Sequence, residues 1–186
     1  VDGDGKDNDG NGYIDDVHGW DFVNNRAEAE PKIISGYNTS STSHGTFIAG
    51  IISAIHSNGK GIKGVTANVK IMSLVALDAS GAGGSYDVSK AIDYAVANGA
   101  DIINLSFGGN EYSSILKSSI NNAYNKGVLI VAAAGNAEVV GTSGRDLTYN
   151  PVYPICYDQE YSENKILGVI SSDKNNNVSG FSNYGK

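Results

Sequence analysis

A chain of 186 residues, 40% of them apolar, is long enough to bury one substantial core and fits a single domain or part of one. The formal charge is −7, and residues 1–30 hold nine of the 20 acidic and two of the 13 basic residues, so the rest is balanced and offers no Lys/Arg cluster for nucleic acid. No apolar run approaches the roughly 18 residues of a membrane span, the acidic start is unlike a signal peptide, and the lone Cys156 excludes an intramolecular disulfide or an all-cysteine zinc site.

Residues 1–30 read as a Gly/Asp/Asn loop that leaves through Tyr13-Ile14 and Trp20-Asp21-Phe22-Val23. Within it Asp7, Asp9, Asn11, Gly12, Tyr13 and Asp15 occupy places 1, 3, 5, 6, 7 and 9 of an EF-hand-like loop. Hard oxygen donors at alternate places, with the Tyr13 carbonyl among them, suit calcium. Place 12 is His18 instead of a bidentate Glu and no helical pattern flanks the loop, so a calcium loop is expected but not an EF-hand; a solvated acidic turn is the competing reading. Asp2 and Asp4 either extend the site or are simply solvated.

After a polar connection over 31–43, the apolar density from Gly45 to His56 predicts a buried helix with Ser43 as its N-cap. His44 then stands at a helix mouth, where the local positive potential disfavours imidazolium and suits a neutral general base. The competing reading is a packed, satisfied histidine; His18 and His56 are read that way. Downstream, strands are expected over 68–77, 101–107, 128–136 and 165–172, with helices over 87–99 and 113–127. Strand–helix alternation with Gly at each helix end predicts parallel βαβ units in an open α/β sheet with helices on both faces. Such sheets carry function beyond the carboxyl ends of their strands, here after Leu77, Leu105 and Ala134.

Two motifs mislead. Gly59-Lys60-Gly61-Ile62-Lys63-Gly64 fits GxGxxG but follows a helix and enters a strand, the reverse of a dinucleotide fingerprint, and reads as a turn. Gly141-Thr142-Ser143-Gly144 resembles the setting of a nucleophilic serine, yet Arg145, Asp146 and a Tyr-Asn-Pro loop follow where a helix is needed. Ala132-Ala133-Ala134-Gly135-Asn136 is more informative: small residues lead to Asn136 at a strand end, where its amide either caps the turn or donates to a developing oxyanion. Cys156, in "PICYD", has neither a helix start nor a nearby base to make it a nucleophile.

Together and in this order, "HGTFIAGIISA", "GVTANVKIMSLVALDASGAGGS", "NGADIINLSFGG", "VAAAGN", "YP" at 153–154 and "SGFSNYG" at 179–185 resemble the subtilases, the subtilisin-like serine peptidases. The acidic stretch "DNDGNGYIDDVHGWDFVNN" is similar to the calcium-binding insertion of some members. The resemblance implies a three-layer subtilisin-like fold, with 1–186 part of one catalytic domain, 1–30 its calcium loop and 44–186 its α/β core. It implies His44 as general base and Asn136 as oxyanion-hole donor of a Ser-His-Asp endopeptidase. Gly81-Ala82-Gly83 and Ser106-Phe107-Gly108 become the backbone edges that pair with an extended polypeptide substrate, and Ala133-Ala134-Gly135 a wall of an S1 pocket roomy enough for a medium or large apolar side chain.

The family's D-[ST]-G tripeptide is missing, Asp15 and Asp16 lie in the calcium loop, and no GTS-small-small helix follows FSNYG. The expectation is therefore an internal piece of a longer domain, incomplete at both ends and inactive by itself. Phe47, where the pattern has His, and Thr66-Ala67, where Val-Ala-Pro is usual, touch no role. An inactive, calcium-stabilised peptide-binding homologue is the alternative. Export to the medium or the cell surface, and the protein's own pro-region as a partner, follow from the resemblance alone.

Overall fold

A computed structural model of the chain describes residues 3–30, 35–36, 39–160 and 163–185. Asp2 and residues 31–34 and 37–38 of the polar connection lie outside them. The chain divides into two compact units, residues 1–91 and 92–186, and the division falls within one helix.

In the first unit the acidic loop ends in a short 3₁₀ turn, Asp16–His18, and enters strand β1, Trp20–Asp21. β1 pairs in parallel with β2, Leu74–Val75, in the register Trp20↔Leu74. Gly19 makes that approach possible, because a Cβ there would lie 1.8 Å from the Ser73 carbonyl oxygen. Trp20 and Phe22 are buried, and the Tyr13 ring meets both edge-on at centroid distances of 4.8 and 5.8 Å. Asp21 is also buried, and its carboxylate accepts from Arg26 Nε at 3.1 Å and Asn24 Nδ2 at 2.8 Å. A buried carboxylate without such donors would be strongly destabilising.

The strand expected over 68–77 shrinks to Leu74–Val75. Its partner decides this: the chain doubles back after Asp21, which bridges antiparallel to Arg26, so β1 offers only two residues to pair with.

Helix α1 spans Thr39–Ser53. Its start corrects the expected N-cap, since Ser43 lies inside the helix and His44 five residues beyond Thr39. Nothing in Thr39-Ser40-Ser41-Thr42 stops a helix, because Ser and Thr cost only tenths of a kcal/mol each, whereas Gly or Pro would break it. The end-charge effect fades within the first turn, so the argument for a helix-mouth histidine falls.

The last turn of α1 is closed by later backbone. Val65 N donates to Ile51 O at 2.9 Å, Thr66 N to Ile52 O at 3.0 Å and Gly64 N to Ala54 O at 3.1 Å. His56 Nε2 adds a 2.9 Å hydrogen bond with the Gly64 carbonyl, a structural role as expected. The orphan carbonyls of Ile51 and Ile52 at the helix end are thus satisfied by Val65 and Thr66, just after the Gly59–Gly64 turn. A Cβ on Gly64 would fall 2.4 Å from Ala54 N. Gly64→Ala should therefore destabilise the unit by about 1–3 kcal/mol, read as a lowered denaturation midpoint at unchanged slope.

Helix α2, Ser85–Ala97, follows the expected periodicity and buries Val88, Ala91, Ile92 and Ala95. The second unit is built on three parallel strands in the order β3 (Ile102–Leu105), β4 (Leu129–Ala133), β5 (Ile166–Val169). Ile103 pairs with Ile130, and Ile130 with Ile166. Burial alternates along β3 and β4: Ile103, Leu105, Ile130 and Ala132 are inside while Ile102 and Leu129 are exposed. Helix α3, Ser114–Asn125, packs against β4. Ser113 caps it, its hydroxyl accepting from Leu116 N at 3.3 Å, and Leu116, Ser119, Ile120 and Ala123 face inward.

A second 3₁₀ segment, Ile155–Glu160, buries Cys156 and Tyr157. Burial pushes the Cys156 thiol up from its usual value, and its sulfur accepts from Val152 N at 3.3 Å. This is the profile of an inert structural cysteine. No helix among the described residues is long and apolar enough to cross a membrane.

Candidate active site

The sequence-derived residues fall in both units. In the first, His44 is exposed on α1. Gly81-Ala82-Gly83 follow a tight turn after β2: Asp78 N donates to Ala82 O at 2.7 Å, and the Asp78 carboxylate accepts from Ser80 N at 2.8 Å and Ala82 N at 3.1 Å. The Ser80 hydroxyl first, then these amides, hold the Asp78 carboxyl below the usual 3.8. With its pKa lowered, the carboxylate secures the turn at neutral pH, and this support is lost only as pH falls below the ordinary carboxylate range. Gly83 is sterically required, since its Cβ would meet the Ala76 carbonyl at 2.4 Å.

In the second unit the ends of β3 and β4 frame a cleft of about 160 Å³. Gly108 and Gly109 line one side, Gly135 and Asn136 another, and Val152 and Asn183 complete it together with the polar trio Asn110, Glu138 and Arg145. Gly135 has φ +81, a left-handed value that turns the chain out of β4 and leaves Asn136 exposed at its end. The turn is pinned from below. Asn183, almost fully buried, donates from Nδ2 to Ala134 O at 3.0 Å and from its backbone N to Gly135 O at 3.0 Å. Ala137 N donates to Phe181 O at 2.7 Å, and Asn136 bridges Ser182.

Residues 106–108 lie outside any ladder, between the end of β3 and an antiparallel bridge from Gly109 to Tyr153. Ser106 accepts a 2.7 Å hydrogen bond from Asn104 Nδ2. Gly108 closes directly on Val152, whose Cγ1 would be 2.4 Å from an added Cβ. Of the three expected wall residues only Gly135 lines the cleft. Ala134 is packed behind it with Leu147, Val152 and Cys156, because the alternation of β4 turns Ala132 and Ala134 inward. The lining is also more polar than its small residues suggested. Arg145, Glu138 and Asn110 carried no signal in the sequence, since only the folded loop brings them together; Asn183 sat within the "SNYG" stretch already singled out.

The acidic loop keeps its donors on backbone amides. Asp7 accepts from Gly10 N at 2.7 Å and Gly12 N at 2.8 Å, Asn11 Oδ1 from Tyr13 N at 2.9 Å, and Asp15 from Asp4 N and Gly5 N, each at 3.0 Å. The Gly12 amide, followed by those of Gly10 and Asn11, holds the Asp7 carboxyl below its usual value of 3.8, so it is ionised at neutral pH. An all-oxygen, carboxylate-rich donor set fits calcium by its chemistry. No three His, Cys, Asp or Glu side chains converge among the described residues.

Ser143 lies in an exposed turn that Thr142 closes onto Val139 O at 3.1 Å. No helix begins at Ser143, the next helical segment among the described residues being the 3₁₀ stretch Ile155–Glu160.

Parallel strands connected through helices, with polar and glycine-rich backbone gathered at their carboxyl ends, define an open-sheet α/β domain with a strand-end cleft. The chain belongs to the subtilase family, whose model matches residues 3–186. It is 39% identical over 169 residues to thermitase of Thermoactinomyces vulgaris, covering 91% of this chain and 52% of that protein. With the thermophilic serine proteinase of Bacillus sp. strain AK1 it shares 35% identity over 169 residues, covering 91% of this chain and 36% of that one. The chain thus spans about half, or less, of the length of these relatives. A crystal structure of a cold-adapted subtilisin-like serine proteinase superposes with a TM-score of 0.65 at 27% identity, covering 90% of this chain and 51% of that one.

Proposed function

We propose that the full-length protein is a subtilisin-like serine endopeptidase, cutting peptide bonds through an acyl-enzyme. The family match over residues 3–186 carries this reading, and the resemblance of "HGTFIAG" and "VAAAGN" to the family's motifs is the ground for the roles proposed for His44 and Asn136. His44 takes the proton of the nucleophilic serine and returns it to the leaving amine, while the Asn136 amide donates to the tetrahedral oxyanion. The serine and its orienting aspartate come from other parts of the protein. Gly81–Gly83 and Ser106–Gly108 receive an extended polypeptide by β-augmentation, supported by the position of 106–108 outside any ladder and by the Asp78-capped turn. Residues 1–186 act as part of one catalytic domain, exported as is usual in the family and folded with the aid of a pro-region.

Turnover of chromogenic peptides by the full-length protein, together with labelling by a serine-directed phosphonate, tests the reading. Peptide binding with neither turnover nor labelling would replace it with the inactive peptide-binding module.

Asp7, Asp9, Asn11, the Tyr13 carbonyl and Asp15 are proposed to hold a structural calcium. The ionised Asp7 and the oxygen-only donor set support this. Binding to the folded state alone stabilises it by RT ln(1 + [L]/Kd), about 2.7 kcal/mol at a hundredfold excess over Kd. Chelator should lower the melting temperature by several degrees, and Asp7→Asn plus Asp9→Asn should abolish that sensitivity. An unchanged melting temperature in chelator would count against the metal.

A further inference from the structure

The strand-end cleft holds a cation that the peptidase reading leaves without a task. Arg145 is built into the cleft with unusual firmness. Gly144 before it lies so close to the next chain segment that a Cβ would meet the Ser182 carbonyl oxygen at 1.9 Å. Arg145 N donates to Asn183 Oδ1 at 3.0 Å, and its carbonyl accepts from Tyr184 N at 3.1 Å.

The guanidinium is fixed as well. Nη1 donates to Glu138 Oε1 at 3.0 Å and Nη2 to Asn110 Oδ1, while Asn110 Nδ2 completes the ring to Glu138 Oε1 at 3.4 Å. Nε is buried and has no hydrogen-bond partner among the described residues. The two charges are not equally placed: the Arg145 side chain is 31% exposed and that of Glu138 67%. The inner polar group of the cleft is therefore the cation, with Glu138 as an outer counter-charge.

We propose that Arg145 makes this cleft select a substrate side chain ending in a carbonyl or carboxylate oxygen, glutamine or glutamate, at the residue whose peptide bond is cut; this rests on the peptidase reading above. The remaining walls suit such a side chain. Gly108, Gly109 and Gly135 contribute backbone, and Val152 gives an apolar surface for a methylene stem. About 160 Å³ admits a glutamine side chain, and a cavity of about that size also takes a benzene ring, so the selection proposed is made by the polar lining and not by size. A guanidinium fork recognises an acyl oxygen by paired N–H donors and repels a lysine or arginine head. Because Glu138 offsets the charge, neutral glutamine is preferred over glutamate while Glu138 is present.

The test uses the full-length protein and a peptide series varied only at that residue. The wild type should cut after glutamine at least about tenfold more efficiently, in kcat/KM, than after phenylalanine or lysine. Arg145→Ala should erase that ratio, and Arg145→Lys should reduce it by keeping the charge without the fork. Glu138→Gln should move preference from glutamine towards glutamate. Ratios are internal to each variant, so a change in folded fraction does not affect them, and if Arg145→Ala fails to fold the other two decide. Preference for phenylalanine or leucine with the Arg145→Lys and Glu138→Gln profiles unchanged would overturn the proposal, as would preference for lysine. If no peptide is cut, the peptidase reading falls. Calorimetric Kd values for peptide acids ending in glutamine or phenylalanine then decide the pocket by the same ratio.

Discussion

If the proposed peptidase function holds, replacing His44 by alanine in the full-length protein should lower kcat by about 10⁶-fold, the scale that loss of the catalytic base has in subtilisin, while leaving the fold in place. Two observations set these expectations. The ring is exposed on α1, so its truncation opens no cavity, and exposed substitutions usually change stability by less than about 0.5 kcal/mol. A general base acts only on the reacting proton, so its loss appears in kcat and kcat/KM together, with binding of a product peptide retained. Matched melting curves, steady-state kinetics on a chromogenic peptide and a titration with its product check all three parts. Substantial turnover by His44→Ala would remove the histidine from the mechanism. A cooperative loss of structure would instead mark it as a structural residue.

Asn136→Ala is the second large effect. Removing one oxyanion donor costs about 10²–10³ in kcat, roughly 3–4 kcal/mol of barrier, with KM little moved, because the hydrogen bond strengthens only as charge develops. The geometry makes this a clean experiment. Asn136 is exposed, its bridge to Ser182 is made by backbone, and the turn beneath it is held by Asn183, so the side chain can go without moving its support. A rise in KM at constant kcat would show that the amide serves ground-state binding, and the oxyanion assignment would fail. Asn183→Ala should behave differently. It removes the Nδ2 donor to Ala134 O and an acceptor for Arg145 N from a buried position, and so lowers stability as well as rate.

How much of this was legible depends on the range of the interactions concerned. Helices α2 and α3 appear close to their expected limits because the signals are local: apolar spacing at Val88, Ala91, Ile92 and Ala95, and a capping serine at 113. The strands expected over 101–107 and 128–136 exist but are shorter, Ile102–Leu105 and Leu129–Ala133, since a ladder ends where its partner leaves, as at Ala133 before the left-handed Gly135. The start of α1 was missed for the opposite reason. A serine prefers a cap but costs only tenths of a kcal/mol inside a helix, and the tract Thr39–Thr42 contains no Gly or Pro to stop propagation.

The order of motifs along the chain was enough to determine the family and the α/β class, because each depends on residue type at short spacing. The tertiary structure alone decided what lines the strand-end cleft. Arg145, Glu138 and Asn110 lie up to 35 positions apart in sequence, and they meet because Gly144 lets one loop press against the Ser182–Asn183 backbone. Contacts of that kind are created by packing, and no period, cap or motif encodes them locally.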